Sequence, residues 1–430
     1  MTAGMRERKG VKAPKVERKT DPPIENCGVE GAGDAGHSPV ESETKTNQKK
    51  TSRNKSSKEG THNSGSKSWF SSCCSKAKYV FLFLFVPPFL NYSSLQREVV
   101  ELQPEGELYD VGWGRKMFLS CHGKGPPTVV LDAPTGMNSD VWTLVVKKLE
   151  KHTNVCIYDR AGLGFSERPL NYTSQSSESS SQLNVNNAYQ PSPFTVESMA
   201  EDLHRLISSS SQQPLPLILV GAELGSLVAQ FYSHIYETDI LGLVLINPLP
   251  EDLFHEASEV WVQHWFGVLG PTYQSLQLGA ALGINRLGLL VGALQVPILG
   301  DDVPENVILR QKYLLCHPRH LSSVVDEHHF INETFSQMRT VRKLRSLPSN
   351  VSVAVLSGNY YDEQIPSHLN KAWAIGEQKL LSKLPPNTQH YVVNGADRHM
   401  MYRKPEPIVE AVMRIVRKWR RSQPGQAQRE

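Results

Sequence analysis

Apolar residues follow two alternating patterns between residues 107 and 420. Short apolar runs occur in PPTVVLDAP, LPLILVG, ILGLVLINP and VSVAVLSG, with further strand-like segments in RKMFLSC, NVCIYD and QHYVVNG. Between them, DVWTLVVKKLEKH, SMAEDLHRLI, GSLVAQFYSHIY and PIVEAVMRIVRKW place apolar residues at helical spacing. Continuous apolar strands separated by amphipathic helices are typical of a parallel sheet that is covered on both faces. The pattern therefore predicts an α/β domain with a doubly wound, mostly parallel sheet.

Two stretches interrupt this pattern. Residues 171–193, NYTSQSSESSSQLNVNNAYQPSP, are so rich in Ser, Asn and Gln that they bury little surface, which indicates a low-complexity surface loop. Residues 250–347 are irregular, and they contain the apolar stretches EVWVQHWFGVLG and LGAALGINRLGLLVGALQVPIL. The second stretch is long enough to form a structural layer of its own.

The first 75 residues differ from the domain in charge and polarity. The net charge of +3 conceals a basic leader, because residues 1–78 hold 16 Lys/Arg against 9 Asp/Glu and the remainder holds 30 against 34. Almost no large apolar residue precedes Trp69, so we predict a disordered basic leader over residues 1–75. The remainder has no basic excess that would indicate a nucleic-acid-binding face.

Residues 76–96 are interpreted as a hydrophobic membrane-anchor segment, with an apolar run at residues 79–90. About a dozen apolar residues are fewer than the ~20 of a straight spanning helix, and Pro87-Pro88 is expected to break a helix. A short span and an interfacial or core segment are the alternatives. Basic residues before the run favour a single-pass anchor with a cytoplasmic N-terminus and a lumenal or extracellular domain.

N-glycosylation sequons fit that orientation. They begin at Asn91, Asn171, Asn332 and Asn350, whereas one at Asn54 lies on the expected cytoplasmic side. The domain is therefore expected to be a glycoprotein if it is exported.

The cysteines say little about the fold. Cys73 and Cys74 lie beside the apolar run, where they are either palmitoylation candidates or ordinary cysteines. Cys121, Cys156 and Cys316 remain in the domain, and three cysteines permit one disulfide at most.

Four blocks resemble the α/β-hydrolase superfamily in sequence, order and spacing. They are CHGKGPPTVVLDAPTGMNSDVW, IYDRAGLGFSERP, LILVGAELGSLVAQFYSHI and VNGADRHMMYRKPEPIVEAV. The resemblance covers residues 107–420 as an AB hydrolase-1 type domain and implies that residues 250–347 form a helical cap. In this family a Gly-x-Ser-x-Gly turn holds the nucleophilic serine above the sheet. Gly221 and Gly225 match that turn, and Glu223 stands at the serine position.

Three interpretations of Glu223 remain open. Its carboxylate is a nucleophile that forms an ester, as the aspartate does in haloalkane dehalogenases and epoxide hydrolases. Alternatively it is a structural or ligand-binding anion, favoured by the N-terminus of the helix that follows and paired with a protonated histidine. In the third interpretation the chemistry lies elsewhere, with a carboxylate acting on water or with Ser226 as the reactive group.

The remaining site residues are carried over from the resemblance. His399, in the loop after the last strand, matches the catalytic histidine, and Asp362 matches the acid. Glu363 is the near alternative for the acid, and the residues after VLINP, Glu251 and Asp252, are another.

The backbone N–H groups of Thr135 and Leu224 match the oxyanion donors, with Pro134 before Thr135 where the family often has glycine. Two carboxylates beside His399 would favour its protonated form, which is a poor general base.

The leading hypothesis is a membrane-anchored α/β-hydrolase-fold protein that is a non-classical or inactive hydrolase. It would bind an apolar or acyl small molecule, or a protein partner, through its cap. The alternative is an active hydrolase of an ester, epoxide or halide that uses Glu223 with His399 and Asp362. Tyr273 and Tyr313 are candidates for the paired cap tyrosines of an epoxide hydrolase, although no His-Gly-x-Pro block precedes them. The sequence contains no motif for a metal, a cofactor or a nucleic acid.

Overall fold

The computed structural model describes residues 66–112, 115–169, 193–210, 212–255, 259–359 and 365–423. Its strands are β1 (Glu107–Asp110), β2 (Lys116–His122), β3 (Thr128–Asp132), β4 (Asn154–Tyr158), β5 (Leu217–Ala222), β6 (Ile240–Ile246), β7 (Ser352–Gly358) and β8 (Gln389–Val393). They form one sheet in the order β1-β2-β4-β3-β5-β6-β7-β8. β2 pairs antiparallel with β1 and β4, and the strands from β4 to β8 pair in parallel with their neighbours.

Helices cover both faces of this sheet. The flanking helices are α2 (Thr143–Leu149), α3 (Val196–Ser209), α4 (Leu224–Ile235), α11 (Ser367–Lys383), α12 (Met400–Arg403) and α13 (Glu406–Ser422). Successive strand residues face opposite cores: Val130 and Leu219 pack with α3 and α4, whereas Val129 and Ile218 pack with α2 and α13. Burial of both faces explains why the strands are continuous apolar runs, and it confirms the predicted mostly parallel α/β fold.

A helical layer lies between β6 and β7 in the chain. It contains α5 (Glu259–His264), a π-helical turn (Trp265–Leu269), α6 (Gly270–Ala281), α7 (Ile284–Leu290), α8 (Glu305–Leu315), α9 (Pro318–His329) and α10 (Ile331–Leu344). Helix α6 packs on α9, and α10 contacts α3 and α4. We call these helices the cap. They contact the sheet domain through α9 and α10.

The apolar segment near the N-terminus belongs to one long helix, α1 (Ser66–Glu101), which continues through Pro87 and Pro88. The expected break at these prolines is therefore wrong. Tertiary contacts hold the helix beyond them: the amide of Asn91 donates to two cap carbonyls at 2.9 and 3.0 Å, and Arg286 pairs with both oxygens of Glu98 at 2.7 Å. Docking on the cap offsets the hydrogen bonds that proline removes from a helix.

Within the described residues, no helix combines the length and apolar character that crossing a bilayer requires. Asn91 is 3% exposed, so its sequon is not accessible to a glycosyltransferase in the folded domain. The asparagines at 332 and 350 are exposed, although Thr334 of the first sequon is buried, and the sequons at Asn54 and Asn171 lie outside the described residues.

Cys121 and Cys156 form a disulfide between paired positions of β2 and β4. Cys316 is buried as a free thiol, and burial raises its pKa to about 11. Of the other predicted segments, residues 1–65 of the leader and nearly all of the 171–193 loop lie outside the described residues.

Candidate functional site

The turn between β5 and α4 has a strained backbone. Glu223 is the single residue between the two elements, and it has φ 47° and ψ −111°, a region that residues other than glycine rarely adopt. A Cβ on Gly221 would overlap the carbonyl oxygen of Gly225, which explains why this crossing needs glycine. The sequence thus builds a sharp strand-to-helix turn with a carboxylate at its apex.

Backbone hydrogen bonds fix this apex. The N–H of Glu223 donates to the carbonyl of Ile246 at 3.1 Å. Ser226 is fully buried, and its hydroxyl donates to the carbonyl of Glu223 at 2.5 Å. Since Ser226 is committed to the turn, the geometry does not favour it as the reactive group.

The partner of the Glu223 carboxylate is Arg398, which follows β8 in the chain. Both Nη2 and Nε of Arg398 donate to Oε1 of Glu223, at 2.9 and 3.2 Å. The guanidinium also stacks over the ring of Trp373 at 5.0 Å. The side chains of Arg398 and Glu223 are 27% and 13% exposed. The apex charge is therefore balanced by an ion pair at the edge of the solvent.

His399 lies next to Arg398 but has a different partner. Its backbone N–H donates to Oδ1 of Asp397 at 2.9 Å, and its ring Nδ1 lies 3.7 Å from the other oxygen of Asp397. Among the described residues, Glu223 and His399 share neither a hydrogen bond nor an ion pair within 4.0 Å. Asp362 and the alternative Glu363 lie outside the described residues. The triad carried over from the resemblance stays a prediction, and the expected histidine partner of Glu223 is replaced here by an arginine.

The two expected oxyanion donors end up at neighbouring positions. Thr135 follows β3 and Leu224 opens α4, and a Cβ on Gly225 would lie 2.7 Å from carbonyl oxygens at the end of β3. Thr135 is 8% exposed, and its buried hydroxyl has no hydrogen-bond partner in the part of the chain that the structure describes. The next N–H, of Gly136, donates to Oε2 of Glu327 on α9 at 2.7 Å. A polar hydroxyl therefore remains available beside the apex.

Arg160 joins this loop to the cap. It donates to Asp132 at 2.6 Å, to both oxygens of Glu327 at 2.7 and 3.0 Å, and to the carbonyls of Ala133 and Pro134 at 2.7 Å. All three charged side chains are at most 5% exposed. Although burial lowers the pKa of Arg160, the charges of Glu327 and Asp132 outweigh it and raise that pKa. Arg160 therefore stays protonated and ties α9 to the sheet.

Two aromatic groups of the cap lie near the apex. The rings of Tyr273 and His328 are 4.4 Å apart, and Trp265 lies 5.1 Å from His328. Burial and then the charge of Glu223 raise the pKa of Tyr273, and burial lowers the pKa of His328. Nδ1 of His328 lies 2.7 Å from the carbonyl of Val324, so it carries the proton and leaves Nε2 as an acceptor. Both groups therefore lie within the electrostatic influence of Glu223.

The other predicted candidates are placed elsewhere. Tyr313 packs with Leu95 and Cys316 beneath α1, in a different cluster from Tyr273, so the two tyrosines are not a pair. Glu251 is 1% exposed and is bound to Arg342 at 2.6 Å and to Lys383 at 3.0 Å. These ion pairs give Glu251 a structural role, because they link it to α10 and α11.

A cavity of about 200 Å³ opens beside Arg398, at the ends of β6 and β7. Asn247, Trp261, Trp373 and Glu377 contribute to its lining. Asn247 has φ 41°, and its side-chain oxygen accepts from the N–H of Gly358 at 3.0 Å. Within the described ranges, no group of three His, Cys, Asp or Glu side chains is placed to hold a metal ion.

Two residues of this site were not predicted from the sequence. Arg398 is adjacent to the predicted His399, so its position in GADRHMM was the available signal. His328 comes from α9 in the cap, where nothing in the sequence distinguishes it from the neighbouring His329.

Comparisons with known proteins agree with this architecture. A family model described as the α/β hydrolase fold matches residues 119–278. The pimeloyl-[acyl-carrier protein] methyl ester esterase of Pseudoalteromonas atlantica is 30% identical over 129 residues, which are 30% of this chain and 40% of that protein. The chain spans less than half of the length of each of the first three curated relatives that it matches.

Solved structures extend the likeness over most of the domain. The epoxide hydrolase CorEH has a TM-score of 0.52 at 16% identity, covering 73% of this chain and 99% of its own. A variant of aCif has a TM-score of 0.55 at 12% identity, covering 77% of this chain and 96% of its own. Taken with the eight-stranded sheet and the strained turn at Glu223, these matches show that the chain has the α/β-hydrolase fold.

Proposed function

We propose that this protein is a non-classical or inactive hydrolase that binds an apolar ligand beneath its cap, with Glu223 at the nucleophile position. The observation that carries the proposal is the pairing of Glu223 with Arg398, at 2.9 and 3.2 Å. An ion pair and two hydrogen bonds stabilise the carboxylate in its resting state. They lower its tendency to attack a carbon atom, because attack would require those interactions to weaken.

The missing contact between Glu223 and His399 supports the same proposal. A carboxylate nucleophile needs water activated at its ester, and a histidine within hydrogen-bond reach would supply the base. Within the described residues the charge partner of the His399 ring is Asp397, at 3.7 Å, and Arg398 pairs with Glu223. The charged groups of the apex are therefore arranged for binding.

The chemistry of the ligand follows from the groups around the apex. Tyr273 supplies a donor, His328 an acceptor, and Thr135 an unpartnered hydroxyl. Apolar surface from Trp265 and the α6 to α9 contact adjoins them. Such a site suits a molecule with one uncharged polar end, such as an ester or an epoxide, and an apolar remainder. The names of the relatives, an ester esterase and an epoxide hydrolase, fall in the same substrate classes.

One observation favours the alternative of an active carboxylate hydrolase. The turn keeps Glu223 at φ 47°, although a residue in this region costs of order 1–3 kcal/mol. Strain of this kind holds a side chain in a fixed direction, here above the sheet. In an active carboxylate hydrolase, Glu223 would form an ester with the substrate, and water would then cleave that ester.

Turnover in heavy-oxygen water separates the two functions. The full chain would be incubated in H₂¹⁸O with long-chain esters and epoxides, and the peptide containing Glu223 would be analysed by mass spectrometry. The proposal predicts no label and no turnover, because no ester forms at Glu223. Label in that peptide, absent from a Glu223→Gln control, would establish the active hydrolase.

Binding can be tested without turnover. A fluorescent long-chain acyl ester should bind the full chain, and His328→Leu or Tyr273→Phe should weaken binding by about tenfold, since each removes one hydrogen bond worth ~1 kcal/mol or more. The distant exposed variant Leu344→Ala serves as the control. Equal binding by all variants would place the ligand elsewhere.

The proposal includes attachment of the chain to a membrane through residues 76–96, with the domain in the lumen or outside the cell. The disulfide between Cys121 and Cys156 supports this, because disulfides are rare in the cytosol. The exposed asparagines at 332 and 350, together with the sequon at Asn171, are the candidates for glycans. Endoglycosidase treatment of the expressed protein should lower its apparent mass, and Asn171→Gln, Asn332→Gln and Asn350→Gln together should abolish the change.

A further inference from the structure

Among the described residues, α1 and α7 carry large apolar side chains that are exposed. Helix α7 turns its buried side, with Asn285 and the partly buried Leu289, toward α1 and α8. Its opposite side presents Ile284, Leu287 and Val291, which follow each other at helical spacing. Leu290 and Val291 are 77% and 78% exposed. A stripe of this kind on the outside of a helix is unusual for a surface in contact with water.

The stripe on α7 continues into α1. Gly283, at the start of α7, approaches Pro87 so closely that a Cβ would overlap the proline carbonyl. Next to this contact, α1 exposes Leu84, Phe89 and Leu90, with Phe89 68% exposed. The two helices are also held together by Arg286 and Glu98. Their exposed apolar residues therefore belong to one surface, which we call the α1–α7 face.

We infer that the α1–α7 face lies in the outer layer of a lipid bilayer, so that the cap rests on the membrane. The inference rests on the proposed membrane attachment and adds the orientation of the domain: residues 76–96 lie along the interface, on the same side of the bilayer as the cap, and do not cross it. A bilayer fits the observations better than a protein groove, because the exposed side chains are large aliphatic and aromatic groups on two convex helices.

Charge supports a lipid surface as the occupant. Lys76 and Lys78 precede the exposed apolar stretch of α1 by one to two helical turns, and residues 1–78 carry seven more basic than acidic residues (16 − 9). Apolar side chains that follow two lysines along the same chain segment match the acyl layer and the anionic headgroups of a membrane.

The orientation has a consequence for the ligand site. Helix α6 contacts both α1 and α7, and its Tyr273 and Leu276 pack inward against α9. The same helix therefore links the α1–α7 face to the side of the cap that faces Glu223. An apolar ligand dissolved in the bilayer would meet the cap before it met water.

Lipid photolabelling tests the orientation. The full chain would be reconstituted into vesicles of phosphatidylcholine, with and without phosphatidylserine, that contain a diazirine-bearing phosphatidylcholine. After irradiation, mass spectrometry would locate the labelled peptides. We expect label in the peptides that contain residues 84–90 and residues 284–291, with more bound protein when phosphatidylserine is present.

A matched pair of variants controls the experiment. Leu290→Glu should lower labelling of the α7 peptide by at least about fivefold, because a carboxylate replaces an aliphatic group in the acyl layer. Leu344 is also 77% exposed but ends α10, so Leu344→Glu should leave labelling unchanged. Both positions are exposed, and circular dichroism would check that both variants remain folded.

The outcomes separate this inference from the attachment on which it rests. Label in residues 84–90 but not in 284–291 would overturn the orientation and leave membrane attachment standing. Label in neither peptide would overturn both. Equal label at the peptide containing Leu344 would show unspecific contact with lipid and would also overturn the inference.

Discussion

The two walls of the site beside Glu223 are built differently. On the α9 side, Arg160 binds Asp132 and Glu327 with all three side chains at most 5% exposed. On the α12 side, Arg398 binds one oxygen of Glu223 while its side chain is 27% exposed. We call Arg160 with Asp132 and Glu327 the α9 wall, and Arg398 with Glu223 the α12 wall. Each wall contains an arginine and a carboxylate, but the α9 wall is buried and the α12 wall lies at the surface.

The difference shows that similar ion pairs serve different purposes. Charges removed from water must keep all their partners, so the α9 wall is rigid and fixes the cap to the sheet. A pair near the surface is screened by solvent and contributes little to stability. The α12 wall is therefore the side on which the apex can change its partner.

Breaking the α9 wall should have the largest effect. Arg160→Met leaves Asp132 and Glu327 buried without their cation, so we expect the free energy of unfolding to fall by about 3–5 kcal/mol. Chemical denaturation would measure it. Arg414→Met is the control, since Arg414 pairs with Glu410 at the surface, and its loss should cost less than ~1 kcal/mol. Equal losses in the two variants would contradict the comparison.

The α9 wall should also weaken in acid through His320, whose Nδ1 accepts from the N–H of Gly164 at 3.1 Å. Burial, and then the nearby His317, lower the pKa of His320 from 6.5 to about 3. Because the unfolded chain binds a proton below pH 6.5 and the folded site does not, a lowered histidine pKa costs the fold progressively more stability as the pH falls from 6.5 toward the folded value. Between pH 7 and 5, His320 should account for a loss of about 2 kcal/mol in unfolding free energy.

The variant His320→Gln isolates that contribution. Its unfolding free energy should depend less steeply on pH than that of the wild type over the same interval. Asp159 contributes with the opposite sign, because burial raises its pKa to about 6, but it is present in both proteins and cancels in the difference. Parallel pH profiles of the two proteins would show that His320 is already protonated or solvated in the fold.

Breaking the α12 wall should have the smallest effect on stability. Arg398→Gln removes a partly exposed pair, so the free energy of unfolding should change by less than ~1 kcal/mol. The chemistry at the apex should respond instead: without the guanidinium, Glu223 should be modified faster by a carbodiimide and an amine. Mass spectrometry of the Glu223 peptide would measure the rate. An unchanged rate would mean that Arg398 does not shield this carboxylate.

Regular elements were predictable where the local pattern was strong. The runs that became β3, β5, β6 and β7 are buried on both faces, which leaves little choice of side chain. The pattern missed β1, whose residues ELYD are mostly exposed, and α11, whose apolar residues do not form a long stripe. It also predicted a break at Pro87-Pro88. That prediction failed because the contacts that hold α1 come from a distant part of the chain, which a local pattern does not contain.

The sequence by itself determined the sheet, the strained turn with Glu223 at its apex, and the apolar character of α1. These features depend on residues within a few positions of each other: the alternation of a strand, the glycines that flank a turn, a run of apolar side chains. Only the tertiary structure decided that Arg398, 175 residues away, faces Glu223. It also brought α7 beside α1 and His328 beside Tyr273. Such contacts depend on how helices and strands pack against each other. The local sequence pattern of one element does not specify which distant element it will contact.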